Sequence, residues 1–291
     1  MTLPKTDTIV TYPAGHVTSN GKVVHVQPLD DDRRAVILDV TAAHPVDSVW
    51  PDQGSDRAAL VVGGTSIVIE ECIVGATDGA ALYSGTDIPV KKGADGWAFL
   101  VVHVIDSDAP VEEGDAAEVQ VDATYRRDLS AGHSACHLAS LALNAALAGA
   151  WTKPVPVDGA GNPNFDALAI QTSTILENGS RDEYRIGRSL RKKGFSVAAL
   201  SEAAVQDEVN RLLREWVSAG GPIRIAREGD GLTDRRFWQC DIEGKPVSIP
   251  CGGTHATDLT ELDGVSVSLV AAEGDGALAL TMNTTCRGPQ S

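Results

Sequence analysis

The chain has 291 residues, 43% of them hydrophobic and 22% charged, the balance of a core-forming protein with room for two domains. A net charge of −16 argues against a generally basic nucleic-acid-binding protein, and no apolar run approaches the ~18 residues of a membrane span. The five cysteines (Cys72, Cys136, Cys240, Cys251, Cys286) show no disulfide-framework spacing, and the N-terminus lacks a basic start and apolar stretch, so a cytoplasmic protein with reduced thiols is expected.

Residues 1–125 read as β-rich. Short apolar or alternating runs at 35–38, 59–62, 66–69, 98–102 and 118–121 alternate with Gly- and Asp-containing turns, a pattern that suggests a small β-barrel-like domain. The character changes near residues 123–126. From Leu129 to Ala148 apolar residues recur at helical spacing (Leu138, Leu141, Ala142, Ala145) without proline. A Pro/Gly-rich loop follows at 152–164. A second helix is expected over 200–218, with Ser201 as N-cap and Gly220-Gly221-Pro222 as its stop. Strands are expected at 222–226, 237–241, 265–270 and 277–282. The fold class is therefore α+β: a small N-terminal β-barrel-like domain at 1–125, then an α+β domain at 126–291.

Charge is unevenly spread. Residues 1–125 hold 7 Lys/Arg against 20 Asp/Glu, whereas residues 126–291 hold 17 against 20. The stretch Arg181–Lys193 is locally basic, with Arg181, Arg185, Arg188, Arg191, Lys192 and Lys193 against Asp182 and Glu183. Phosphate contacts are local, because the Debye length is only ~8 Å at physiological salt, so such a patch can serve a phosphate backbone in an acidic protein. The alternative is a solvated helix face.

Two short segments carry the chemistry. His133-Ser134-Ala135-Cys136-His137 lies on the first expected helix, where residues i and i+4 leave the same face and can share one metal ion. Ser134 stands where a His-Glu-x-x-His peptidase needs its general base, so that chemistry is absent. Far downstream, Cys251-Gly252-Gly253-Thr254-His255 aims a thiol and an imidazole from one flexible turn. Three imidazoles and a thiolate suit zinc, which accepts mixed nitrogen and sulfur ligands. The ligand candidates are thus His133, His137, Cys251 and His255. Cys136, between the histidines but off their face, reads as a small buried residue.

The His-x-x-x-His helix followed by Cys-Gly-Gly-Thr-His resembles the editing domain of alanyl-tRNA synthetase and freestanding AlaX-type trans-editing proteins. Tyr125-Arg126-Arg127-Asp128-Leu129, Leu38-Asp39-Val40-Thr41 and Gln53-Gly54-Ser55-Asp56 resemble further family segments, so the likeness spans roughly residues 35–285. It implies a zinc-dependent hydrolase that removes a wrong amino acid, serine or glycine, from alanine tRNA in trans. It also implies substrate contacts at Thr41, Gln53 and Thr254, and we assign the tRNA backbone to Arg188, Arg191, Lys192 and Lys193. Thr41 also reads as an ordinary strand residue, and Gln53 as an exposed loop glutamine. The sequence departs from the family at Ala42-Ala43, where an aromatic pair is usual, and at Pro51-Asp52, where a glycine run is usual. A zinc hydrolase of a small acyl compound and a non-catalytic zinc module are the competing readings.

Overall fold

In the computed structural model, which describes residues 3–30, 32–274 and 276–287, the chain divides into two units. Met1 and Thr2, the first residues of the stretch read for a leader signal, lie outside the described residues. The first unit runs to Arg126 and also takes Arg227–Arg236 and Cys251–Thr254; the second comprises Arg127–Ala226, Phe237–Pro250 and the residues from His255 onward. No helix among the described residues is long and apolar enough to cross a membrane.

The first unit contains β1 (Ile9–Val10), β2 (Thr18–Pro28), β3 (Arg33–Leu38), β4 (Val40–Thr41), β5 (Ala58–Val62), β6 (Thr65–Ile69), β7 (Glu71–Thr77), β8 (Leu82–Ser84), β9 (Ala98–Asp106) and β10 (Ala116–Val121). Eight of these form one antiparallel sheet in the order β6-β5-β10-β2-β3-β9-β7-β8, while β1 and β4 pair in parallel. Among the described residues no ladder joins β6 to β8, so the barrel-like expectation reaches only as far as an eight-stranded sheet. The strands expected from the apolar runs are all present. Sequence patterning missed β1, β2, β7 and β8; the two longest of these, β2 and β7, each contain a glycine. A Cβ on Gly21 would lie 2.7 Å from the Val40 carbonyl oxygen, and one on Gly75 would lie 2.6 Å from Val102 Cγ2. Close approach by neighbours demands glycine there, and glycine weakens the strand signal.

The second unit holds most of α1 (Ala123–Ala146), then α2 (Phe165–Ala169), β11 (Ile170–Leu176), β12 (Gly179–Ile186), α3 (Arg188–Lys192) and α4 (Glu202–Ala219). After β13 (Arg224–Arg227) come β14 (Arg236–Ile242), β15 (Lys245–Pro250), β16 (Ser266–Gly274) and β17 (Ala277–Thr285). A four-stranded antiparallel sheet has the order β11-β12-β17-β16. The basic stretch 181–193 is therefore not one helix face: it begins in β12 and ends in the short α3. Alternating burial in Arg181–Ile186 follows the two-residue period of a strand.

Two features of this unit set the position of α1 and protect the sheet. Gly132 is the close-contact point of α1, since a Cβ there would lie 2.2 Å from the Leu176 carbonyl oxygen in the β11–β12 turn. Helix propensity disfavours an interior glycine by ~1 kcal/mol, and close packing on the hairpin overrides it. Along α4, Glu202, Gln206 and Asn210 are spaced by four residues, and their side chains accept the backbone N–H groups of Ala271, Leu269 and Val267 in β16. The free edge of the sheet is thereby covered by a helix rather than left as a template for pairing.

Candidate metal centre

Helix α1 presents His133 and His137 one turn apart, with ring centroids 4.9 Å from each other. The hairpin β14–β15 turns through Glu243 and Gly244, both at positive φ as a two-residue primed turn requires, and delivers the chain to Cys251. His255 then lies 4.3 Å from His133 and 5.0 Å from His137, ring to ring. The ligand atoms of His133, His137, Cys251 and His255 all fall within 4.8 Å of one another. The four residues singled out by the two motifs thus converge on one point.

The donors fit a metal ion on grounds beyond proximity. His137 Nε2 is inaccessible to solvent and has no hydrogen-bond partner among the described residues, an expensive state for an imidazole nitrogen unless something else takes its lone pair. Burial lowers the His137 pKa to about 4, which keeps the ring in the neutral form that binds metals. Burial pushes the Cys251 thiol up to about 12, so the thiol is protonated when it stands alone. Coordination deprotonates such a thiol, and the charge of the ion offsets the cost of burying it.

Ser134 is the functional residue that the sequence did not reveal as such. Its Oγ accepts the Ala256 N–H at 3.0 Å and lies 3.2 Å from His255 Nδ1. With Nδ1 protonated, His255 donates to Ser134 and keeps Nε2 unprotonated, the tautomer that ligation needs. Trp238, fully buried, packs its ring 5.3 Å from that of His137 and fixes a wall of the site. Cys136 has a different role. Its sulfur lies 3.4 Å from Asp182 Oδ1, and burial, reinforced by Asp182, holds the thiol well above its usual range. This thiol is a buried packing residue, as its place in the motif suggested.

Gln53 and Thr254 are held together. Gln53 Nε2 donates to Thr254 Oγ1 at 2.8 Å, and the Thr254 backbone N–H donates to Gln53 Oε1 at 3.0 Å. Gln53 is only 1% exposed, so it is not the exposed loop glutamine that the alternative described. Thr41 is fully buried, with Oγ1 2.9 Å from His103 Nε2 and accepting the Ala43 N–H. Since His103 Nδ1 faces the Val36 carbonyl oxygen at 3.1 Å, the ring donates there and receives the threonine proton at Nε2. Arg236 is buried in the first unit and donates to the carbonyls of Leu232 and Gly231. Arg188, Arg191, Lys192 and Lys193 are exposed on the second unit.

Burial lowers both His44 and His103 to about 4, so in the folded first unit they stay neutral where an unfolded chain would protonate them near pH 6.5. Stability is therefore complete above pH 6.5 and is lost as pH falls toward 4, by about 3 kcal/mol for each ring. Urea midpoints at pH 7 and pH 4.5 measure this. The H103Q variant should lose less stability across that interval than the wild type; an equal loss refutes the assignment to His103.

The fold and site define a two-unit mixed α and β protein with three histidines and a cysteine gathered as a candidate metal centre. No family model matches the chain. Over 184 residues it is 27% identical to the alanyl-tRNA editing protein AlaX-M of Pyrococcus horikoshii, covering 62% of this chain and 68% of that protein. The chain thus resembles AlaX-type editing proteins well beyond the two ligand motifs.

Proposed function

We propose that this chain is a zinc-dependent deacylase that hydrolyses mischarged aminoacyl-tRNA in trans, with seryl or glycyl esters of alanine tRNA as its substrates. The observation that carries the reading is the convergence of His133, His137, Cys251 and His255 within 4.8 Å, in a chain similar to AlaX-M. When bound there, zinc supplies a Lewis acid able to polarise an ester carbonyl or acidify a water. The chain's own residues do the rest. Ser134 orients His255, Trp238 and the fold of α1 fix the histidines, and the Gln53–Thr254 pair forms the polar wall toward the amino acid. A site that hydrogen-bonds a seryl hydroxyl rejects alanine strongly, because alanine leaves its buried polar groups unpaired; glycine makes no such bond either and is the weaker of the two substrates. Thr41 is the third substrate contact in this reading, its Oγ1 2.9 Å from His103 Nε2 in the first unit's core.

The tRNA backbone falls to Arg188, Arg191, Lys192 and Lys193. None of these four has an ion pair among the described residues, and a cleft of about 410 Å³ lined by Gln171, Arg185, Arg188 and Ser189 lies beside them. Deacylation of Ser-, Gly-, Ala- and Thr-tRNA, with and without chelator, tests the reading. Chelator-sensitive release of serine or glycine, with alanine spared, is expected. No release from any of the four, on protein shown to hold one zinc, overturns it.

Salt dependence tests the basic patch. Each phosphate contact contributes roughly 0.7–0.9 to the slope of log affinity against log salt, so changing all four residues to glutamine should flatten the slope by about 3. The overall charge of −16 favours a second reading, hydrolysis of a small acyl compound without tRNA. A rate indifferent to salt in both proteins would select it.

A further inference from the structure

We propose that Trp50 is a stacking platform for the terminal adenine of the aminoacyl-tRNA, the base of the nucleoside that carries the ester; this rests on the deacylase reading above. Trp50 is 48% exposed, the one aromatic among the exposed large hydrophobic side chains of the described residues, and its neighbour Val49 is 82% exposed. The loop that presents them is tied down on both sides. Before Trp50, Val46 bridges to Ile73 of β7: its N–H donates to the Cys72 carbonyl oxygen at 2.9 Å, and its own carbonyl oxygen accepts the Val74 N–H at 3.2 Å. Asp47 pairs with Lys92 at 3.3 Å and accepts the Val49 N–H at 2.9 Å. After Trp50, the Gln53 side chain is bonded in both directions to Thr254. The Trp50 side chain itself hydrogen-bonds the Asp52 carboxylate, so the polar edge of the indole is engaged while about half of the residue stays in solvent.

Two arguments select a nucleobase as the occupant. The first is reach. Trp50 stands three residues from Gln53, a separation of at most about 11 Å along the chain, and the backbone bends at both residues. Trp50, Gln53 and Thr254 all belong to the first unit. An ester whose amino acid faces the Gln53–Thr254 pair carries its nucleoside on the other side of the ester bond, and that nucleoside comes within reach of the indole. The second argument is charge. Residues 1–125 hold 7 Lys/Arg against 20 Asp/Glu, and Asp47 and Asp52 flank Trp50, so phosphate is repelled here and the uncharged base is the part of the tRNA end that this loop can hold. A base stacks on an aromatic ring through its π-face, without needing a donor or acceptor from the protein. A ring already held by its loop also loses little freedom on binding.

The test uses a stable mimic of the charged tRNA end, 3′-deoxy-3′-(L-seryl)amidoadenosine, and the same seryl amide on a sugar carrying hydrogen in place of adenine. Calorimetric affinities are measured for the zinc-loaded wild type, W50A and W50F, with thermal melting to confirm folding. The wild type should bind the adenine compound roughly ten- to hundredfold more tightly than the base-free one. W50A should bring that ratio close to one by weakening only the adenine compound, and W50F should keep most of it. KM for Ser-tRNA should rise in W50A. Equal binding of the two compounds by the wild type overturns the role of Trp50, as does an undiminished ratio in folded W50A. Where neither compound binds measurably, an unchanged KM for Ser-tRNA in W50A overturns it. A Trp50-dependent preference for adenine in a protein that deacylates no Ser-tRNA would leave the platform standing and remove the deacylase reading. A wild type that neither binds the compounds nor deacylates Ser-tRNA removes both.

Discussion

Replacing His133 with alanine, or Cys251 with serine, is expected to lower bound zinc from one ion per chain to none and to reduce deacylation by roughly three powers of ten. That scale follows from the several kcal/mol of transition-state stabilisation that a Lewis acid supplies. Metal analysis of dialysed protein and single-turnover deacylation measure the two effects. The competing view of a purely structural zinc gives a different pattern: loss of metal would unfold the second unit, and there would be no wild-type rate to lose. Thermal melting of the metal-free protein separates them, since a folded but inactive protein is the outcome expected for a functional ion. S134A provides a graded companion. Ser134 touches His255 without being one of the four donors, and losing such an orienting partner typically costs 10–100-fold in metal affinity. Unchanged zinc affinity in S134A would remove Ser134 from the site's architecture.

R126M should destabilise the first unit by about 3–5 kcal/mol, the usual cost of leaving one member of a buried ion pair without its partner. Asp56 and Arg126 are 4% and 5% exposed. Arg126 Nε donates to Asp56 Oδ1 at 2.7 Å, a second bond joins Nη2 to Oδ2, and Nη2 also reaches the Ala42 carbonyl oxygen at 2.8 Å. Asp56 additionally accepts the His44 N–H. This bidentate pair ties the loop that carries Asp52 and Gln53 to the first turn of α1. Urea unfolding of R126M, D56N and the double variant checks the pair. The single changes should each cost several kcal/mol and the double variant less than their sum, because the second change no longer leaves a lone buried charge. A loss below 1 kcal/mol in R126M would mean that the pair behaves like an exposed one.

The residues that define the candidate metal centre were legible in the sequence because their signals are local. His133 and His137 are fixed on one face by helical spacing alone, and Cys251 and His255 lie four positions apart in one segment around Gly252 and Gly253. The amphipathic pattern likewise located α4 almost to the residue, from Glu202 to Ala219 against an expected 200–218. Helix α1 begins at Ala123, six residues before its expected start, because the polar stretch Thr124–Asp128 hides the helix that Asp122 caps through the Thr124 and Tyr125 N–H groups.

Other features depend on partners distant in sequence, and only the tertiary structure decided them. Ser134 reads as a missing catalytic glutamate until His255 and Ala256 are brought to it. Asp56 and Arg126 stand in two separate family-like segments, and nothing in either segment shows that they are one ion pair. Strands β11 and β12 were missed because their exposed face is polar and charged, and the pairing of β12 with β17 supplies what intrinsic propensity lacks. The sequence by itself determined the donor atoms and the chemistry they favour, since ligand identity and helical spacing are properties of a few neighbouring residues. Which groups orient those donors was decided by long-range packing, because hydrogen bonds between segments depend on where the backbone places them.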